Sequence, residues 1–244
     1  MPLVEAAVDT IESALSAERA GAGRIELCAS LSDAGITPSG GLIAAVVERC
    51  RIPVFVLIRP RGGSFGYSDG EMEIMVRDIA LVKSLGAHGV VAGVLQPNAM
   101  IDVKKVRMLV SAAQPLPVTF HRAFDYASNR AESLEELIDA GVARVLTSGG
   151  ANTALEGASG IAALVRQARG RIAIVAGGGI RENNVREVVA LTGVTEVHAR
   201  ISSIVGAAGG RGGKIKLRKR LPDDESAWEE LDEHRMRDLV QQAG

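Results

Sequence analysis

Cysteine is scarce: Cys28 and Cys50 are the only two in 244 residues. Two thiols so far apart make neither a disulfide framework nor the paired spacing of a zinc module, so a reducing compartment is the default. Charge of one sign is also lacking. The formal net charge is −1, and a chain without a basic excess has no global attraction for nucleic acid or an anionic membrane. No apolar run approaches membrane-spanning length, and the first residues enter an amphipathic pattern without the charged and apolar regions of a leader. HExxH, paired CxxC and a Ser-His-Asp order are absent, which leaves the common zinc and hydrolase readings without a motif. The expectation is a cytoplasmic protein, forming homo-oligomers, whose ligand is a small molecule or a metal ion, with no nucleic acid and no membrane.

What is present is apolar and periodic. Hydrophobic side chains make up 47% of the chain, enough to bury a full core. Short Val/Ile-rich runs at 3–9, 24–30, 54–60, 89–95, 117–124, 144–149, 171–177 and 196–202 alternate with helical-period stretches at 10–20, 38–49, 69–85, 102–112, 131–140, 155–168 and 181–190. This alternation is the pattern of repeated βα units over a parallel sheet. Glycines such as Gly21, Gly86, Gly141 and Gly193 close several helices just before the next strand. About eight such units in a chain of this length predict an α/β fold, a (β/α)8 TIM barrel, over an open doubly wound sheet. The barrel is expected over residues 1–205. A C-terminal extension over 206–244 is read as a Gly-rich loop, an edge strand at 214–220 and a helix at 223–242, packed on the barrel or on a partner subunit.

In such a barrel the chemistry sits at the C-terminal ends of the strands. Strand alternation puts Glu26 and Cys28 on one face, and likewise Glu196 and His198. Closure makes strand eight a neighbour of strand one. If these faces look inward, Glu5, Glu26, Cys28 and His198 form one patch, and Arg59, Arg61 and His121 approach from the far side. A carboxylate inside a barrel must pair with a cation, bind a metal or keep its proton, so Glu5 and Glu26 are candidates for proton transfer; a buried ion pair that only braces the barrel is the other reading. His121 is a candidate base or ligand, against a hydrogen-bonded core histidine. Arg59 and Arg61, beside Gly62 and Gly63, suit an anion clamp; a turn tied to helix carboxylates is the alternative. Ser148-Gly149-Gly150 and Gly177-Gly178-Gly179 end strands six and seven, the latter expected to open into a helix near Arg181. They are read as a backbone cradle for an anion or simply as tight turns.

The motifs Arg24-Ile-Glu-Leu-Cys28, Gly35-Ile-Thr-Pro-Ser39, Ile58-Arg-Pro-Arg-Gly-Gly63, Tyr67-Ser-Asp69, Pro117-Val-Thr-Phe-His-Arg-Ala-Phe-Asp125 and Arg144-Val-Leu-Thr-Ser-Gly149, in this order, resemble the CutC copper homeostasis family. The resemblance runs from about Val4 to His198. It implies a (β/α)8 barrel, cytoplasmic and oligomeric, that handles copper and binds Cu(I) through cysteines, with Cys28 as the most direct metal ligand and His198 as a helper. It also draws Arg122 and Asp125 into the site, beside the proton-transfer and anion candidates already named. Two positions depart from the family pattern: Ala7 stands where many members carry a cysteine, and Ala199-Arg200 follows the strand-eight histidine where some carry Cys or Ser. One thiol makes a poor Cu(I) site. The alternative reading is an enzyme of lyase or isomerase type acting on a small anionic or carbohydrate-like metabolite.

Overall fold

The computed structural model describes residues 1–206 and 227–244. Eight parallel strands close a barrel in chain order: β1 (Leu3–Val8), β2 (Arg24–Leu27), β3 (Val54–Leu57), β4 (Gly89–Ala92), β5 (Val118–Phe120), β6 (Arg144–Thr147), β7 (Ala173–Gly177) and β8 (Glu196–Ala199). The last pairs with the first through Glu5↔His198. Seven helices fill the crossovers: α1 (Ile11–Arg19), α2 (Gly40–Arg49), α3 (Asp69–Ser84), α4 (Val103–Ala113), α5 (Arg130–Asp139), α6 (Ala158–Ala168) and α7 (Val185–Thr192). This is the expected (β/α)8 architecture.

Local chemistry sets the helix starts. Thr10 caps α1 by accepting from Ser13 N at 3.0 Å. Ser68 and Glu71 form a reciprocal capping box on α3, which satisfies two amide donors that a bare helix start would leave open. α6 and α7 begin three and four residues later than the periodicity suggests. Before α7, the segment after Gly179 runs through a turn in which Asn184 Oδ1 accepts from Arg181 N at 2.8 Å, so the helix starts at Val185 and does not open directly from the glycines.

The two faces of each strand serve different cores. Outward residues such as Val4, Ala6, Val8, Ile25, Val54, Val56, Val90 and Val197 pack under the helices in the main apolar cluster; each Val or Ile so buried contributes roughly 1.5–3 kcal/mol. Inward residues build a second, small apolar strip of Cys28, Phe55, Leu57 and Val91 beside a charged network. Two glycines make room for it. A Cβ on Gly89 would lie 2.5 Å from the Phe55 ring, and one on Gly93 2.5 Å from His121 Cε1.

Beyond β8, β9 (Ser202–Val205) pairs antiparallel with β10 (Trp228–Leu231), and α8 (Glu233–Ala243) follows, capped by Asp232. Trp228–Leu231 is therefore strand where a continuous helix over 223–242 is expected. Pairing with β9 overrides the helical preference of a four-residue Glu/Leu stretch. In consequence Arg235 and Arg237 sit in the first half of α8. The expected edge strand at 214–220 lies outside the described residues. Met236, Leu239 and Ala243 of α8 are buried, and the helix packs against both α7 and α1, which gives it the place of the eighth helix in the ring. No helix among the described residues is long and apolar enough to cross a membrane.

Candidate functional site in the barrel lumen

Glu5 occupies the seam where β1 meets both neighbours, opposite Arg24 on β2 and His198 on β8. Its Oε2 accepts from Arg24 Nε, and its Oε1 lies 2.8 Å from His198 Nδ1. Arg24 also donates through Nη2 to Glu196 Oε2 at 2.5 Å, and Arg144 Nε approaches the same oxygen at 3.3 Å. Both guanidinium groups stack on Phe55, each 5.0 Å from the ring centre. Glu26 stands apart from these pairings. Its Oε2 is buried without a hydrogen-bond partner, 3.9 Å from His198 Nδ1. One ligand atom each from Glu5, Glu26 and His198 lie within 4.8 Å of one another.

The acidities follow from this asymmetry. Burial opposes ionisation of Glu5, but the hydrogen bond and charge of His198, with Arg24, outweigh it and hold the carboxyl at about 2. Glu26 has burial and the Glu5 charge against its ionised form, with His198 and Arg24 only partly compensating, and is pushed up to about 7. For His198, burial disfavours the imidazolium, while Glu26 and Glu5 overcome it and raise the pKa above the ordinary value. Two adjacent carboxyls of opposite preference beside an imidazole can hold a cation or share a proton.

Cys28 is not in this cluster. It is fully buried among Phe55, Leu57 and Val91, its Sγ donates to Val8 O at 3.5 Å, and burial, then the carboxylates of Glu26 and Asp9, push its thiol well above the usual range. Burial and these acidic neighbours thus favour the protonated thiol.

Just beyond the C-terminal end of β3, Arg59 is buried and its two terminal nitrogens are spent on backbone carbonyls: Nη1 on Asp33, Ala34 and Gly35 O at 3.1, 3.3 and 2.7 Å, and Nη2 on Gly63 O at 3.0 Å. Arg61 grips Glu71 through Nε at 2.6 Å and the carbonyls of Ser64 and Gly66, both at 2.9 Å. These two residues thus clip the β3–α3 loop in the geometry seen here. His121 is buried and accepts from Ala123 N at Nδ1, 3.2 Å; burial first, then Arg59, lowers its pKa to about 3, so the ring is neutral at pH 7.

The remaining candidates form a latch joining β5, β6 and β7. Asp125 Oδ1 accepts from Thr147 Oγ1 at 2.5 Å, Ser148 N at 3.0 Å and Gly150 N at 3.1 Å, and Oδ2 accepts from Arg122 Nε at 2.8 Å. Ser148 Oγ accepts from Arg122 Nη2 at 2.7 Å, and Gly149 N donates to Thr147 Oγ1 at 2.9 Å. A Cβ on Gly178 would lie 3.1 Å from Arg122 Cζ, and one on Gly179 3.0 Å from Thr153 Cγ2. The carboxylate of Asp125 is saturated with donors and the amides of Gly149 and Gly150 are already used, which makes this group a brace in the geometry seen here. The sequence reading gives no role to Arg24 or Arg144, and puts Glu196 on the face of His198 without giving it one. The signal existed for Arg24, because the same alternation that pairs Glu26 with Cys28 puts Arg24 on their face.

The model of the CutC family matches residues 2–203. The chain is 49% identical over 201 residues to the mouse copper homeostasis protein cutC homolog, covering 82% of this chain and 74% of that one. It is 43% identical over 225 residues to a CutC family protein of Histophilus somni (strain 2336), covering 92% and 93%. A crystal structure of CutC from Streptococcus agalactiae superposes with a TM-score of 0.78 at 36% identity, covering 81% of this chain and 98% of that one. With its barrel, its luminal motifs and these relatives in agreement, the chain belongs to the CutC family.

Proposed function

We propose that this protein serves copper homeostasis, as the names of its relatives state, by holding a metal ion at Glu5, Glu26 and His198 in the barrel lumen. The observation that carries this reading is Glu26 Oε2, a buried acceptor without a partner, facing an imidazole nitrogen and a second carboxylate. One nitrogen and two oxygens are borderline-to-hard donors, which suit a divalent ion such as Cu(II) or Zn(II) better than Cu(I). The residues do not fit a thiolate Cu(I) site: Cys28 is a protonated, apolar-packed thiol, and Ala7 and Ala199 bring no second one.

Isothermal titration with Cu(II) and Zn(II), beside anaerobic titration of Cu(I) against a competing chelator, tests the assignment. Divalent binding at least tenfold weaker in Glu26→Gln, with Cu(I) behaviour unchanged in Cys28→Ser, is the expected result. Tight Cu(I) binding that disappears in Cys28→Ser would sink it. A second reading has its own observation: Glu26 and Glu5 are neighbouring carboxyls driven to opposite acidities, the arrangement of a proton-transfer site in a lyase or isomerase acting on a small polar metabolite. A thermal-shift screen of small polyols and sugar acids, in which a hit fails to shift Glu26→Gln, separates it from the metal reading.

A further inference from the structure

Beyond the C-terminal ends of β3 and β5 lies a group with the opposite deficit. Arg59 is 5% exposed and Tyr67 4%, so both are core residues carrying polar ends. All four bonds of the Arg59 guanidinium go to neutral carbonyls, and among the described residues no carboxylate lies within ion-pair distance of it, so a buried cation has no counter-ion. Its Nε has no hydrogen-bond partner, nor have the Tyr67 hydroxyl or His121 Nε2. Because His121 Nδ1 accepts an amide hydrogen, Nε2 of the neutral ring must carry the proton. Thr119 Oγ1, two residues earlier on the same inward face of β5, is a further unpartnered hydroxyl.

These atoms belong to one place. The Phe65 ring lies 5.1 Å from the Arg59 guanidinium carbon and 4.9 Å from the centre of His121, and the Tyr67 hydroxyl, raised in pKa by burial, lies within hydrogen-bonding reach of Arg59, whose charge and side-chain hydrogen bonding act against that rise. Buried donors without acceptors and a buried cation without an anion are each costly, and a single ligand with negative oxygens answers both. We propose that Arg59, Tyr67 and His121 form a binding site for a small carboxylate, with Phe65 as the apolar wall against its carbon end. The carboxylate would accept from Arg59 Nε, His121 Nε2 and the Tyr67 hydroxyl. The site shares no residue with the Glu5–Glu26–His198 cluster, so it stands or falls independently of the metal reading.

Acetate and glycolate are the probes, titrated against chloride at constant ionic strength and followed by thermal shift and by the ¹⁵N–¹H signal of His121 Nε2. The expected result is saturable stabilisation by the carboxylates only, with movement of that signal. Arg59→Ala would also release the loop it clips, so the deciding variant is Tyr67→Phe, which removes one hydroxyl and should weaken acetate about tenfold. Equal effects of acetate and chloride would overturn the proposal, as would unchanged acetate affinity in Tyr67→Phe or a crystal soaked in acetate that holds only water at Arg59 Nε and His121 Nε2.

Discussion

The two sides of the barrel lumen solve the problem of buried polarity in opposite ways. Along β8, β1 and β2, charges are bound to one another: Arg24 bridges Glu5 and Glu196, and His198 completes Glu5. Among the carboxylates the Glu26 oxygen is left over, an acceptor, while Arg144 at the edge of the network on β6 keeps Nε and Nη1 without hydrogen-bond partners. Along β3 and β5, Arg59 leans on carbonyls and the leftovers are donors. A closed charge network braces a barrel, and its leftover lone pair invites a cation. A set of leftover donors around an uncompensated guanidinium invites an anion. The same lumen therefore presents an acceptor wall and a donor wall, beside the small apolar strip of Cys28, Phe55, Leu57 and Val91.

Three perturbations, from largest to smallest, put pressure on this contrast. Glu5→Gln removes the one carboxylate shared by Arg24 and His198, and breaking a buried pair from one side costs about 3–5 kcal/mol; urea unfolding should show that loss with an unchanged slope. A cost below about 1 kcal/mol would mean the acceptor wall is not a closed network.

The donor wall is read by pH. His121 has a folded pKa near 3, below the unfolded value near 6.5, so the neutral ring contributes stability that is fully present above pH 6.5 and lost as pH falls toward 3, a few kcal/mol in all. Chemical-denaturation midpoints across that window should be flatter in His121→Gln. Glu26 has the opposite sign, since a raised carboxyl pKa contributes stability below about 4.5 that fades as pH rises through 7, and the two slopes distinguish the walls. Least affected is Arg61→Ala. That side chain is 41% exposed, so its pair with Glu71 is worth under about 1 kcal/mol, and a similar cost for Arg59→Ala would erase the distinction between a buried clip and a surface one.

The barrel was legible because its signals are local: βα periodicity, capping residues and glycines at helix ends. The inward direction of Glu5, Glu26 and His198 was legible as well, from alternation and the adjacency of first and last strands. What alternation could not reveal is which charges meet, because the pairing of Arg24 with Glu196 spans 172 residues. Strand ends were overextended for a related reason. His121-Arg122-Ala-Phe124 reads as a continuation of β5, yet Arg122–Tyr126 is a 3-10 turn, held where the Asp125 carboxylate accepts from the end of β6. Arg59 looked like an anion clamp on composition alone. Its terminal nitrogens turned out to hold the 33–35 and 63 carbonyls, and only Nε keeps that role open. The β10 strand was hidden because its partner, β9, lies across a long stretch of intervening chain.

The bond between His198 and Glu5 spans 193 residues. Joining them means closing a loop that contains every other strand of the barrel, so the entropy of closure must be met before this bond returns anything. In kinetic terms it is a seal and not a nucleus, holding the closed barrel shut rather than helping to assemble it, and its residues weigh on how slowly the barrel opens.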